Sequence, residues 1–139
     1  METAKRDVRY LTGEEIIALN HSFVICFGRD AQNAGKVFNR DALEYLVWIV
    51  QQDLEGSVVY PRLYDKAAAY AFHIITRHIF VAGNKRTGIG CAFYYLGLHG
   101  CSYVGIISED ELVKLGLDIA DKLIDIPALA SWLEERFAC

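Results

Sequence analysis

Apolar residues along this chain recur mostly at three- and four-residue spacing, which predicts helices rather than strands. Thr12 with Glu15 three positions on has the reciprocal arrangement of a capping box and marks a helix start. In the stretch that follows, Ile16, Leu19, Phe23 and Phe27 form one stripe, and Gly28 is a stop. The segment GRDAQNAGKVFN is rich in turn formers and predicts an exposed loop. Asn39 or Asp41 then opens a second helix, with Leu43, Leu46, Val47 and Val50 spaced for burial. Gly56 and the β-prone run Ser57-Val58-Val59-Tyr60-Pro61 interrupt the pattern; because proline biases the residue before it away from helix, a brief extended segment or hairpin arm is expected. From Leu63 onward, Ala67, Tyr70, Ala71, Ile74 and Ile75 give the clearest helical periodicity, expected to run to about Ile79 and stop before Gly83. A further helix starts near Asn84 and ends at Gly100. Ser108, with Glu111 behind it, caps another whose apolar face is Leu112, Leu115, Ile119 and Leu123, and a last one runs from Pro127 to the C-terminus. The expected fold is all-α, a compact helical bundle with a short extended excursion near residues 57–61.

The length of 139 residues suits a single domain, and 53% hydrophobic with 23% charged residues supplies a real core. Fourteen Lys and Arg against 18 Asp and Glu leave a net charge of −4, which disfavours bulk adhesion to nucleic acid or anionic lipid but leaves room for a local basic site. No apolar run approaches the roughly 18 residues of a membrane span. The start METAKRDVRYLTGEE is too charged for the core of a signal peptide, so a cytoplasmic protein is expected. Cys26, Cys91, Cys101 and Cys139 include no CxxC pair, and buried free thiols are expected rather than a disulfide framework. His21, His73 and His99 lack metal-ligand spacing and are expected to pack.

One segment, HIFVAGNKRTG from His78 to Gly88, sets polar, basic and glycine residues between two apolar helical runs. A turn at Gly83 leading into a helix at Asn84 exposes unpaired N–H groups at the positive end of a helix dipole, a ready anion site. Lys85 and Arg86 in that first turn oppose the dipole, a conflict that a bound phosphate chain resolves. His78 lies just upstream, expected at the end of the preceding helix and facing the same site; histidine titrates near neutrality and suits a general base. Phe80 is expected to tether the loop to the core. A base, a phosphate cradle and two cations are the parts of a phosphoryl or nucleotidyl transferase. The segment is not a Walker loop, since Ile89 and Gly90 stand where Lys and Ser or Thr would follow.

At these residues the chain resembles the Fic/Doc (Fido) family, and within it the death-on-curing toxins of bacterial toxin–antitoxin modules. Fic proteins carry HPFxxGNGRxxR and the Doc branch HxFxDxNKRTx; HIFVAGNKRTG is similar to the latter at His78, Phe80, Asn84, Lys85, Arg86 and Thr87. The opening VRYLTGEEIIALN and the segment VVYPRLYDKAAAYAFHIITRHIF extend the likeness over about residues 8–137. The resemblance implies that His78 takes the proton of a target hydroxyl, with Lys85 and Arg86 also catalytic. It implies that Gly83, Asn84, Lys85 and Arg86 hold the phosphates of ATP. It further implies a flap of Val58, Val59, Tyr60, Pro61, Arg62 and Leu63 that docks a target backbone by strand addition. Lys85 and Ile89 depart from the AMP-transferring branch, so the resemblance favours phosphoryl transfer to a protein Ser or Thr, with the translation factor EF-Tu as target and a cognate antitoxin as partner. AMP transfer, or a non-catalytic binding module, are the alternatives. One position differs: Ala82 stands where the family places the acid that holds Mg²⁺, so metal-assisted catalysis is expected to be weak or absent. The alanine is either an inactivating replacement in an otherwise intact motif or the natural residue of a degenerate or differently specialised member. The C-terminal Ser131-Trp132-Leu133-Glu134-Glu135-Arg136 only loosely resembles the self-inhibitory helix of some Fic proteins, and an amphipathic terminal helix accounts for it.

Overall fold

The computed structural model describes residues 8–28 and 30–139. The charged start at residues 1–7 and Arg29 of the first loop lie outside the described residues.

Among the described residues, six α-helices, a short 3-10 turn (Ala31–Asn33) and four two-residue strands make up the fold: α1 (Gly13–Phe27), α2 (Arg40–Ile49), β1 (Asp53–Leu54), β2 (Ser57–Val58), α3 (Leu63–Thr76), α4 (Asn84–Leu98), β3 (Ser102–Tyr103), α5 (Glu109–Ala120), α6 (Ile126–Arg136) and β4 (Phe137–Ala138). The mostly helical architecture agrees with the pattern of the sequence. Helix starts follow local chemistry. Thr12 and Glu15 close the capping box of α1, Asn39 accepts from the Ala42 amide at α2, and Ser108 accepts from the Glu111 amide at α5.

The core is centred on α3 and α4, the most extensively packed pair. Ala67, Ala68, Ala69 and Ala71 present a small-residue surface on α3, and Gly88 of α4 lies so close that a Cβ there would sit 2.7 Å from Ile75 Cγ1. Gly90, on another side of α4, similarly admits the Phe23 ring of α1. Bulk is supplied by Tyr70 and Tyr95, whose ring centroids are 5.1 Å apart, with Ile74, Leu96, Ile119, Leu129 and Leu133 around them.

Six expectations are corrected. The buried line of α1 is Ile16, Asn20 and Val24, and Phe27 is 63% exposed. At the far end of the chain, Leu123 lies beyond the end of α5 and is exposed. Helix α3 ends at Thr76, not near Ile79, because His78 adopts a left-handed φ of +49° and the Ile79 carbonyl accepts instead from the amides of Phe38 and Asn39. Helix α6 stops at Arg136, after which β4 pairs antiparallel with β3, setting Ser102 opposite Ala138. That pairing also joins Cys101 to Cys139 in a disulfide; Cys91 is the buried free thiol, whereas Cys26 is free and exposed. No helix among the described residues is long and apolar enough to cross a membrane.

Candidate functional site

The motif loop runs from Arg77 to Gly83 between α3 and α4. Its first half is held as a strand would be. Phe80 is fully buried and bridges antiparallel to Val37, while the Val81 amide donates to the Lys36 carbonyl at 3.0 Å. Phe80 thus tethers the loop, as the sequence suggests. The second half turns at Gly83, which has a left-handed φ of +76° and caps α4. The Thr87 amide is the first to bond backward, to the Gly83 carbonyl at 2.9 Å, so the N–H groups of Asn84, Lys85 and Arg86 precede the first intrahelical bond.

Charge at this helix end is unlike that at its neighbours. Helices α1, α2, α3 and α5 carry acids in their first turns, as the dipole favours. Helix α4 carries no acid there and presents two exposed cations instead. Among the described residues neither Lys85 nor Arg86 makes an ion pair. The Lys85 stem lies over α5, where a Cβ on Gly116 would be 3.2 Å from Lys85 Cβ. The Arg86 guanidinium sits 4.7 Å from the centroid of the exposed Phe27 ring, a cation–π contact between α4 and the end of α1.

Two predicted residues have different surroundings from those expected. Asn84 is buried, and its carboxamide serves the loop: Oδ1 accepts from the Phe80 amide at 2.9 Å and Nδ2 donates to the Phe80 carbonyl at 2.8 Å. Its backbone N–H still faces the helix end, but its side chain is committed to the turn. His78 is exposed, two residues beyond α3, with the Phe38 ring edge-on at 5.6 Å. Its Nδ1 faces Asn84 Nδ2 at 3.3 Å. Since the amide orientation is fixed by both bonds to Phe80, the ring nitrogen opposite that N–H must bring a lone pair. The neutral imidazole therefore carries its proton on Nε2. Long-range ¹H–¹⁵N spectra of the chain labelled at histidine nitrogen are expected to show His78 as the Nε2–H tautomer; a dominant Nδ1–H form would contradict this geometry.

Sequence reasoning missed Asn20. This fully buried side chain donates to the Ala82 carbonyl at 2.9 Å and to Thr87 Oγ1 at 3.0 Å, and accepts from the Gly35 amide at 2.8 Å. It ties α1, the loop at 31–39, the motif turn and α4 together. The only signal in the sequence was a polar residue one step off an apolar stripe, which reads as the edge of a solvated face.

Position 82 offers a methyl group, and its carbonyl already accepts from Asn20. It supplies no free oxygen to a hard cation, so these residues do not fit a carboxylate-held Mg²⁺.

The flap residues divide. Val58 lies on β2 of a hairpin closed by Glu55 and Gly56, both at positive φ, and the Val59 amide donates to the Gln52 carbonyl at 3.1 Å. Tyr60 and Pro61 are held from below by Lys66, a buried lysine whose Nζ donates to both their carbonyls and whose pKa burial lowers. Arg62 and Leu63, by contrast, are the cap and first residue of α3, and Arg62 is bound to Asp65 and to Glu134 of α6 at 2.9 Å. The 14 residues of α3 span about 21 Å, so this junction and the motif loop lie at opposite ends of it. Tyr60 reaches part of the way back, its hydroxyl 3.5 Å from Nε2 of the buried His73.

The Fic/DOC family profile matches residues 10–96, which contain the flap, α3, the motif loop and most of α4. The chain belongs to the Fic/DOC family. This Fic/DOC protein is 30% identical over 124 residues to Toxin Doc of Mycolicibacterium smegmatis, a match covering 89% of this chain and 90% of that protein. A match of that length extends past residue 96, where the family profile ends.

Proposed function

We propose that this chain is a Doc-like toxin of the kind that transfers the γ-phosphoryl group of ATP to a Ser or Thr hydroxyl of a protein, its own transfer impaired because Ala82 replaces the metal-holding acid. The target implied by the resemblance is the translation factor EF-Tu, with a cognate antitoxin as its inhibitor and the cytoplasm as its place of action. The observation that carries the reading is the start of α4, where three N–H groups precede the first intrahelical bond, Gly83 turns left-handed, and Lys85 and Arg86, without an ion pair among the described residues, stand where other helices carry an acid. Such an end stabilises a triphosphate through the dipole and charge-assisted hydrogen bonds.

In the transfer, the target oxygen forms a bond to the γ-phosphorus while the bond to the β–γ bridging oxygen breaks, and ADP leaves with that electron pair. The hydroxyl proton passes to His78. Because the resting ring holds its proton on Nε2 and turns its Nδ1 lone pair to Asn84, accepting that proton requires the ring to turn or exchange its tautomer as the hydroxyl arrives. Lys85 and Arg86 offset charge on the transferring group. The hairpin would dock the target by strand addition through the exposed edge around Val58. Lys85 and Ile89 speak against AMP transfer, and mass spectrometry of the modified target separates the two by the mass of the added group.

Ala82 supports a second reading, a Fic-fold module that binds a partner without modifying it. Induced expression of the chain, of Ala82→Asp, and of Ala82→Asp with His78→Ala tests both. Growth arrest by Ala82→Asp, relieved by loss of His78, is expected. If the acid produces neither arrest nor a modified target, the transfer reading fails and the binding module replaces it.

A further inference from the structure

A cavity of about 420 Å³ opens between the start of α2, the last turns of α3 and the turn after α5, lined by Asn39, Phe72, His73, Thr76, Arg77 and Lys122. None of these residues has a part in the chemistry above. Arg77 and Lys122 are both exposed, and among the described residues neither makes an ion pair. The Arg77 guanidinium lies over the face of Tyr45, 5.4 Å from its centroid. His73, 7% exposed, contributes to the wall, and its Nδ1 is buried without a hydrogen-bond partner. A buried polar atom left unpaired costs on the order of 1–3 kcal/mol.

We propose that this cavity is a subsite for the side-chain carboxylate of an Asp or Glu on the polypeptide whose hydroxyl is presented to His78. The choice of occupant follows from charge and position. Two unpaired cations match one carboxylate, and a guanidinium fork binds its two oxygens side by side. Burial, aided by the Arg77 charge, lowers the pKa of His73 to about 4, so near neutral pH His73 adds no third positive charge to the wall. The triphosphate has its own cradle at the start of α4. This cavity borders His73, which Tyr60 of the hairpin touches at one end, and Arg77, which precedes His78 at the other. It therefore lies along the path from flap to base, where residues flanking the acceptor hydroxyl would pass. The assignment rests on the functional reading above and adds an acidic neighbour to the substrate it would select.

The test is an NMR titration of the full ¹⁵N-labelled chain with the peptide acetyl-Gly-Ser-Glu-Gly-amide and with its Gln counterpart. Saturable shifts at His73, Thr76 and Arg77 are expected, with the Glu peptide bound about tenfold more tightly. R77Q and K122Q change exposed side chains and leave the core intact; each is expected to weaken the Glu peptide several-fold and leave the Gln peptide unchanged. Equal binding of both peptides, no effect of either substitution, or shifts confined to the amides of residues 84–87 would overturn the subsite. Growth arrest by Ala82→Asp with no response at Arg77 overturns the subsite alone. A Glu-dependent response at Arg77 without growth arrest supports the subsite and overturns phosphoryl transfer alone.

Discussion

Asn20→Ala is expected to be among the most damaging single changes in this protein, lowering stability by roughly 2–4 kcal/mol. The side chain makes three buried hydrogen bonds, and alanine replaces none of them. The Gly35 amide and the Ala82 carbonyl would each lose a partner in a region packed by the buried Val24 and Thr87. A loss of that size lowers the melting temperature by about 10 °C for a domain of this length. Thr87→Val provides the comparison, because it removes only the bond between Asn20 Nδ2 and Thr87 Oγ1 and keeps the shape; roughly 1 kcal/mol is expected there. Thermal denaturation followed by circular dichroism reads both. An Asn20→Ala protein that melts with the wild type, or a Thr87→Val protein that melts well below Asn20→Ala, would show that the junction is held by something else.

The second large effect is expected at Gly83→Ala. Its φ of +76° costs an L-residue roughly 1–2 kcal/mol, and the new Cβ would stand 2.8 Å from Val24 Cγ2. Overpacking of that kind costs roughly 1–3 kcal/mol more. Gly56→Ala separates the two contributions, since Gly56 has nearly the same φ, +78°, with no atom within 4 Å of an added Cβ. Gly83→Ala should therefore be clearly less stable than Gly56→Ala in denaturant melts. On the functional reading it should also lose ATP affinity in calorimetry while Gly56→Ala retains it, because only Gly83 aims the first N–H groups of α4. Equal stabilities would mean that Val24 yields without cost and that the turn is not clamped by α1.

The sequence by itself determined the parts whose physics is local. Thr12 with Glu15, Asn39 and Ser108 satisfy amides within their own first turns, so those helices begin where the residues say. Gly56 and Pro61 confine a short extended excursion between α2 and α3 by backbone preference. The motif loop was legible for the same reason: a glycine turn, two cations at a helix start and a histidine within a few residues need no distant partner to be recognised.

Tertiary structure decided everything that depends on a residue far away in the chain. Asn20 could not be read as the hub of the motif because its partners lie at Gly35, Ala82 and Thr87, and periodicity reports a face but not what meets it. The same ignorance of partners placed Phe27 in the core, when it is exposed with its ring against the Arg86 guanidinium. It also left Cys101 and Cys139 as separate thiols, when the β3–β4 pairing brings them together. The end of α3 was misjudged because a helical pattern continues through Ile79, yet the loop at 36–39 captures that residue's carbonyl and turns His78 left-handed. Helix starts are settled by hydrogen bonds across three or four residues. The orientation of the site is settled by hydrogen bonds that close only when α1, the loop at 31–39 and α4 have already met.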